Sequence, residues 1–171
     1  VLRQLGCLQD YQAFCGALGI RASMSSARHF YIARTIQYFC TRQYGTRRLR
    51  ILEIGAGAGN LASLLFLKGR VDAYCIVDLP DMLLLSSYSM AKYLPGTDLA
   101  FQEDVDLTKP LSAGRTLLLT PSALRQVPSG TFDLCLNVQS FQEMDRDVRD
   151  GYLEQIYRVT IPNGLFLNIN R

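Results

Sequence analysis

Ile51-Leu52-Glu53-Ile54-Gly55-Ala56-Gly57-Ala58-Gly59-Asn60 decides how the rest of the chain is read. Residues 50–54 form a short apolar run that breaks off at a cluster of glycines. Leu61, Leu64, Leu65 and Leu67 then resume at helical spacing until Gly69 stops them. Strand, glycine turn and helix therefore follow one another. Glycine at such a turn lets a ligand approach the backbone closely and leaves the first N–H groups of the helix facing it. The spacing also separates this loop from two others. A phosphate-binding P-loop needs Gly-Lys-Ser/Thr, which is absent, and a GxGxxG dinucleotide loop asks for glycine where this chain has Asn60.

Working outward, the same alternation recurs. Residues 73–78 read as a second strand closed by Pro80, with a helix from Asp81 to about Tyr93. Pro95-Gly96 is a turn, and residues 98–114 read as a loop with at most a short strand. Residues 116–120 are a third strand, 131–137 a fourth, and helical spacing returns through Val148, Tyr152, Leu153, Ile156 and Val159. Pro162-Asn163-Gly164 then turns into a fifth strand, 165–170. Residues 1–48 read as a helical segment, with Ser25 or Ser26 capping the stretch that holds Phe30, Ala33, Ile36, Phe39 and Cys40. Strands that alternate with helices and carry nearly continuous apolar cores predict an α/β fold: a Rossmann-like three-layer sandwich with a mainly parallel sheet. The division expected is a helical segment over 1–48 and a core over 49–171. In such sheets ligands sit beyond the carboxyl ends of the strands, so the informative residues are those that follow each strand.

Composition narrows the class. With 171 residues, 49% of them hydrophobic and 19% charged, the chain builds one globular core and is not disordered. No stretch approaches the ~20 apolar residues of a membrane span, and a cytoplasmic protein with no membrane association is expected. A net charge of +3 is too mild to mark a nucleic-acid binder. Arg42, Arg47, Arg48 and Arg50 form one basic cluster, read as a solvated approach to the first strand or, alternatively, a phosphate contact. The five cysteines are odd in number and none is spaced CxxC, which points to reduced thiols and to no metal site.

The form acidic-x-Gly-x-Gly-x-Gly, Glu53 to Gly59, resembles motif I of the class I S-adenosylmethionine-dependent methyltransferases. The resemblance implies that Gly55, Ala56, Gly57 and Gly59 wrap the methionine and ribose of S-adenosyl-L-methionine, with Glu53 near its amino group. A carboxylate is apt there because that ligand carries an ammonium and a sulfonium rather than a pyrophosphate. Asp78, ending the second strand 23 residues after Gly55, has the place and chemistry to accept the ribose hydroxyls, with Leu79 beside it. Nicotinamide enzymes share that device, and a helix cap is its plainer reading. Ser122, after the third strand, occupies the region that contacts adenine in similar methyltransferases, although small loop residues are common for other reasons.

Asn137-Val138-Gln139-Ser140-Phe141-Gln142-Glu143-Met144 follows the fourth strand. It lacks the Asn/Asp-Pro-Pro-aromatic motif of enzymes that methylate nucleobase amines. Together with residues 51–55, Val77-Asp78-Leu79-Pro80 and Asn168-Ile169-Asn170-Arg171, it is similar to the sugar O-methyltransferase family over roughly residues 50–171. That resemblance implies methyl transfer to a sugar or related small hydroxyl compound, and it adds Asn137 to the cofactor-binding set. A hydroxyl is a poor nucleophile and gains from a group that takes its proton. Two residues are candidates: Glu143, which alternatively caps the helix that follows, and His29, the single histidine, which alternatively is structural.

The complete fold of that family has seven strands, and this chain is read as truncated after its fifth. An uncovered strand invites pairing with another chain, so a homodimer through that edge is expected. Two other classes stand beside the enzyme: a degenerate domain that binds cofactor or a partner without catalysis, and a nicotinamide-dependent oxidoreductase, which Asn60 disfavours.

Overall fold

The computed structural model describes residues 6–170. The helical reading of 1–48 begins on residues 1–5, and the Asn-Arg ending closes on Arg171; both lie outside the described residues. Two helices occupy the N-terminal part, α1 (Leu8–Leu18) and α2 (Met24–Tyr44). Gly19, at φ 60°, ends the first in the left-handed conformation that glycine adopts without a Cβ penalty. The cap of α2 is Ser23 rather than Ser25 or Ser26. The Ser26 N–H donates to Ser23 Oγ (3.1 Å) while the Ser23 N–H donates to Ser26 Oγ (2.9 Å), a reciprocal capping box. Three serines in four residues hid which of them stops the helix.

The core follows as β1 (Leu49–Ile54), α3 (Asn60–Leu67), β2 (Val71–Val77), α4 (Pro80–Tyr93), β3 (Asp98–Phe101), β4 (Arg115–Leu119), β5 (Phe132–Val138), α5 (Arg146–Val159) and β6 (Thr160–Ile169). The strands form one six-stranded sheet in the order β3-β4-β2-β1-β5-β6, and every pairing is parallel.

Two corrections to the sequence reading follow. The described residues form six strands rather than five, because residues 98–101 form an edge strand inside the stretch read as a loop with at most a short strand. It is four residues long, too short for periodicity to show, and an Asp98–Arg115 ion pair holds it to β4. The expected turn at Pro162-Asn163-Gly164 is instead a bulge within β6. Phe132 faces Thr160 and Leu134 faces Leu165, so the extra residues loop out, with Asn163 at φ 61°. An edge strand tolerates Pro162 because no ladder bond is lost on its open side.

The sheet is covered on both faces. Ile51, Tyr74, Ile76, Leu118 and Leu134 pack under α1–α4 with Phe30, Ile36, Leu64 and Met90. Leu52, Ile54, Cys75, Val77, Leu119 and Cys135 face Leu124, Ile156 and Val159 on the other side. Each fully buried leucine or isoleucine contributes about 1.5–3 kcal/mol. All five cysteines are buried, and burial pushes the Cys75 and Cys135 thiols upward, so these two serve as small apolar residues. No described helix is long and apolar enough to cross a membrane.

Where the strands begin, the buried Asp133 carboxylate accepts the Arg50 N–H (2.8 Å) and pairs with the guanidinium groups of Arg47 (3.0 Å) and Arg50 (3.1 Å). The Tyr44 hydroxyl, at the end of α2, donates to the Asp133 carbonyl (2.8 Å). Arg48 donates to the Val71 carbonyl, and Arg42 lies over the Tyr38 ring. The basic cluster is thus spent within the fold, most of it anchoring the start of the sheet.

Candidate functional site

Successive strands step outward on one side from β1 to β2 and then β4, after which β5 returns to the other side of β1. The crevice where strand order reverses, beyond the carboxyl ends of β1 and β5, is where a parallel sheet receives ligands. The glycine loop lies there. Gly55, Gly57 and Gly59 have φ of 73°, 56° and 70°, values that favour glycine. At Gly55 space matters as well: an added Cβ would sit 2.3 Å from the Cβ and Oγ of Ser140. The loop after β5 therefore closes against the loop after β1 as tightly as a bare backbone permits.

The contact is fastened by hydrogen bonds. Asn137 is fully buried; its amide nitrogen donates to the Ile54 carbonyl (3.1 Å) and to Ser140 Oγ. Its oxygen accepts from the Phe141 N–H (3.3 Å) and from Asn170 Nδ2 (3.1 Å). Two donors and two acceptor sites exhaust what an asparagine side chain offers. Asn137 therefore positions the glycine loop, with no hydrogen-bonding capacity left over for a ligand. Ser140 Oγ also donates to the Ile54 carbonyl (3.0 Å), and the Gln142 N–H donates to Asn170 Oδ1 (3.2 Å). Between them Gln139 adopts φ 67°, a strained value for a non-glycine residue, and its N–H donates to the Ile169 carbonyl (2.7 Å).

Two acids flank the loop. Glu53 is 2% exposed, and the buried Tyr74 hydroxyl donates to its Oε2 (2.8 Å). Burial pushes the Glu53 carboxyl up to about 7, against the pull of the Tyr74 bond and with a further push from Asp78. Asp78 accepts the Gly57 N–H at Oδ2 (2.9 Å) and the Leu79 N–H at Oδ1 (2.8 Å), so it braces the glycine loop from the next strand. Its pKa is raised, by burial first, with those two bonds opposing. Each of its oxygens retains a lone pair for a hydroxyl. Among the described residues no cation pairs with either acid. The loop is thus bordered by uncompensated carboxylates, which suits a cationic ligand and opposes a pyrophosphate.

The other expected residues are placed as follows. Leu79 stands exposed directly after Asp78. Ser122 is exposed beyond β4, its Oγ 3.2 Å from Thr120 Oγ1. The Asp78 N–H donates to the Leu119 carbonyl (3.1 Å), so these two loops lie side by side. Glu143 ends a 3-10 turn (Phe141–Glu143) and is exposed, while Asp145 rather than Glu143 occupies the N-cap position of α5, without a side-chain capping bond. His29 lies early in α2, half-buried, on the same edge of the sheet as the glycine loop. Residues that sequence reasoning passed over are Tyr74, Asn170 and Gln102. Gln102 Oε1 accepts from both the N–H and the hydroxyl of Thr120 (2.9 Å each). Only Asn170 carried a signal, as part of the terminal Asn-x-Asn. Among the described residues no cluster of His, Cys, Asp or Glu can hold a metal ion.

No family model matches the chain, nor does any curated protein sequence. Solved structures do. CalS10, an amino pentose methyltransferase from Micromonospora echinaspora solved with S-adenosylmethionine bound, aligns with a TM-score of 0.59 and 17% identity, over 96% of this chain and 57% of its own. The fold is that of the class I methyltransferases. The glycopeptide N-methyltransferase MtfA, complexed with sinefungin, aligns at 0.53 and 22% identity, over 80% of this chain and 48% of its own. The CurJ carbon methyltransferase aligns at 0.56 and 15% identity, over 82% of this chain and 34% of its own. This chain spans about half the length of the methyltransferase-fold structures it resembles. Within this fold, acceptors at nitrogen, carbon and sugars all occur, so the architecture does not name the acceptor.

Proposed function

We propose that the chain binds S-adenosyl-L-methionine at the β1/β5 crevice and transfers its methyl group to a hydroxyl of a sugar or related small compound. The observation that carries the cofactor is the glycine loop bordered by Glu53 and Asp78 without a compensating cation. Glu53 faces the ammonium, Asp78 takes the ribose hydroxyls with its remaining lone pairs, and Gly55, Ala56, Gly57 and Gly59 supply close backbone approach. Leu79 and Ser122 border the adenine. The cofactor supplies an electrophilic methyl on a sulfonium; the chain's task is to hold donor and acceptor in line, from which much of the acceleration comes. In this reading residues 49–171 are assigned to the cofactor-binding core and residues 1–48 to the helical segment, whose described helices α1 and α2 cover one face of the sheet.

Support for the acceptor class comes from the Asn-x-x-Ser-x-Gln-Glu-Met block. An amino pentose methyltransferase among the structural neighbours agrees with it. The free, buried thiols of Cys15, Cys40, Cys75 and Cys135 fit a reducing cytoplasm. The open edge of β6 fits pairing with a second copy.

Calorimetric titration with S-adenosylhomocysteine and, separately, NADH tests the cofactor. The first binds and the second does not, and Asp78→Ala weakens the first by at least about tenfold, since one hydrogen bond to a charged group contributes about 1.5–3 kcal/mol. A folded chain that binds neither overturns the proposal.

A further inference from the structure

α2 runs from the ligand edge of the sheet to the opposite end, where Tyr44 meets Asp133. Its first turns meet the turn between α1 and α2 and the start of α3. A cleft of about 160 Å³ opens there, lined by the apolar Phe14, Leu18 and Ile20 and by polar residues that include Arg21, Ser25, His29 and Asn60. Asn60 is the residue directly after Gly59, so the cleft adjoins the end of the glycine loop. Its size is below the ~300 Å³ of a pocket for a drug-sized ligand, so it receives the end of a molecule rather than the whole of one.

His29 has a defined state in this cleft. Its Nδ1 lies 2.9 Å from the Ser25 carbonyl oxygen. A carbonyl oxygen carries no proton, so Nδ1 is the donor, and in the neutral ring the lone pair belongs to Nε2. Burial holds the imidazole below its ordinary value; the Ser25 bond opposes this and the Arg28 charge adds to it. The charged groups around it are Arg28 on its own helix and Arg21 from the α1–α2 turn, both positive, while α3 presents the neutral Asn60. Glu143, by contrast, lies exposed on the turn after β5.

We infer that this cleft is the acceptor end of the site and that His29 Nε2 accepts the proton of the reacting hydroxyl. The inference rests on the methyltransferase reading above. As the hydroxyl oxygen bonds to the methyl carbon, the carbon–sulfur bond breaks and its electron pair stays on sulfur. The hydroxyl proton passes to Nε2, leaving an ether, a neutral thioether and an imidazolium that releases the proton to water. The apolar lining of Phe14, Leu18 and Ile20 suits the C–H face of a sugar ring end, with Ser25 and Asn60 as partners for adjacent hydroxyls.

Because His29 is the only histidine, its ring is the only imidazole in a long-range proton–nitrogen NMR spectrum of the full chain. The expected spectrum at neutral pH is the Nδ1–H tautomer. Saturation with S-adenosylhomocysteine moves the ring signals, and at least one of a hexose, a pentose and an amino sugar, added at high millimolar concentration, moves them again. For the sugar that does so, methyl transfer falls at least about a hundredfold in His29→Gln, while S-adenosylhomocysteine affinity changes by less than about twofold. An Nε2–H tautomer, no response to any of the three sugars, or transfer that survives in His29→Gln overturns the inference. Failure of S-adenosylhomocysteine to bind at all overturns the methyltransferase reading instead. Binding without movement of the His29 ring overturns this inference alone.

Discussion

Where the strands begin, the carboxylate of Asp133 lies buried between Arg47 and Arg50. Where they end, Glu53 lies as deeply buried with only the Tyr74 hydroxyl against it. Burial acts on both acids in the same direction. At Asp133 the opposing hydrogen bonds and charge of Arg50, then Arg47, outweigh it and hold the pKa below the ordinary carboxylate value. At Glu53 nothing positive opposes it and the pKa rises to about 7. A carboxylate with its cations in place contributes to the fold, and one without them is held ready for a cation from outside. The two ends of one sheet thus divide stability from binding.

The largest effect expected from breaking this contrast is at Asp133. Asp133→Ala removes the partner of two guanidinium groups and of the Arg50 N–H. Because Arg47 and Arg50 remain 48% and 33% exposed and turn to water, the loss is about 3 kcal/mol, at the low end for a broken buried pair. Urea unfolding measures it, and S-adenosylhomocysteine affinity of the folded protein stays unchanged. Since the folded pKa of Asp133 is depressed, its contribution is complete above the ordinary value of about 3.9 and disappears as the pH falls through the folded value.

Glu53 has the opposite sign. Its folded pKa is raised, so the stability linked to it is full below the unfolded value of about 4.3 and is lost as the pH rises through about 7. Glu53→Gln keeps an oxygen for the Tyr74 hydroxyl and cannot ionise. The variant without ligand is expected to be more stable than the parent by about 3–4 kcal/mol at about pH 8 and equal to it at about pH 4. Calorimetric unfolding at the two pH values checks this; equal differences at both would show that Glu53 does not change charge in the fold. Binding of the cationic ligand to the parent weakens as the pH falls below about 7.

The smallest effect sharpens the contrast inside the binding end. At Gly57 an added Cβ meets nothing within 4 Å, so Gly57→Ala costs only the left-handed strain at φ 56°, about 1 kcal/mol of stability. The Gly57 N–H is also what Asp78 holds. S-adenosylhomocysteine affinity therefore drops more than stability does, measured by titration beside thermal unfolding. A larger loss of stability than of affinity would place Gly57 with the structural residues.

Legibility followed the range of the interactions. The glycine loop, Asp78 and the alternation of strands with helices were readable because each depends on spacing within a few residues. Asp98–Phe101 was read no more closely than as at most a short strand within a loop, because a four-residue edge strand leaves no period. Ser23 was missed as the cap because the capping box is closed by Ser26, one of three serines with equal local claims. Asn137 was read as touching the cofactor, yet its amide is consumed by Ile54, Ser140, Phe141 and Asn170, partners up to 83 residues away along the chain.

By itself the sequence determined that a strand, a glycine turn and a helix open a parallel α/β core and that acids stand at the ends of its first two strands. These depend on local sterics and on hydrophobic period, which act between near neighbours. Only the tertiary structure decided that Ser140 closes on Gly55, that Tyr74 is the partner of Glu53, that two arginines belong to Asp133, and that His29 shares a cleft with Asn60. Those pairings arise when strands are laid side by side and helices are packed over them, which brings together residues that chain distance keeps apart, and no pattern along the chain encodes such a meeting.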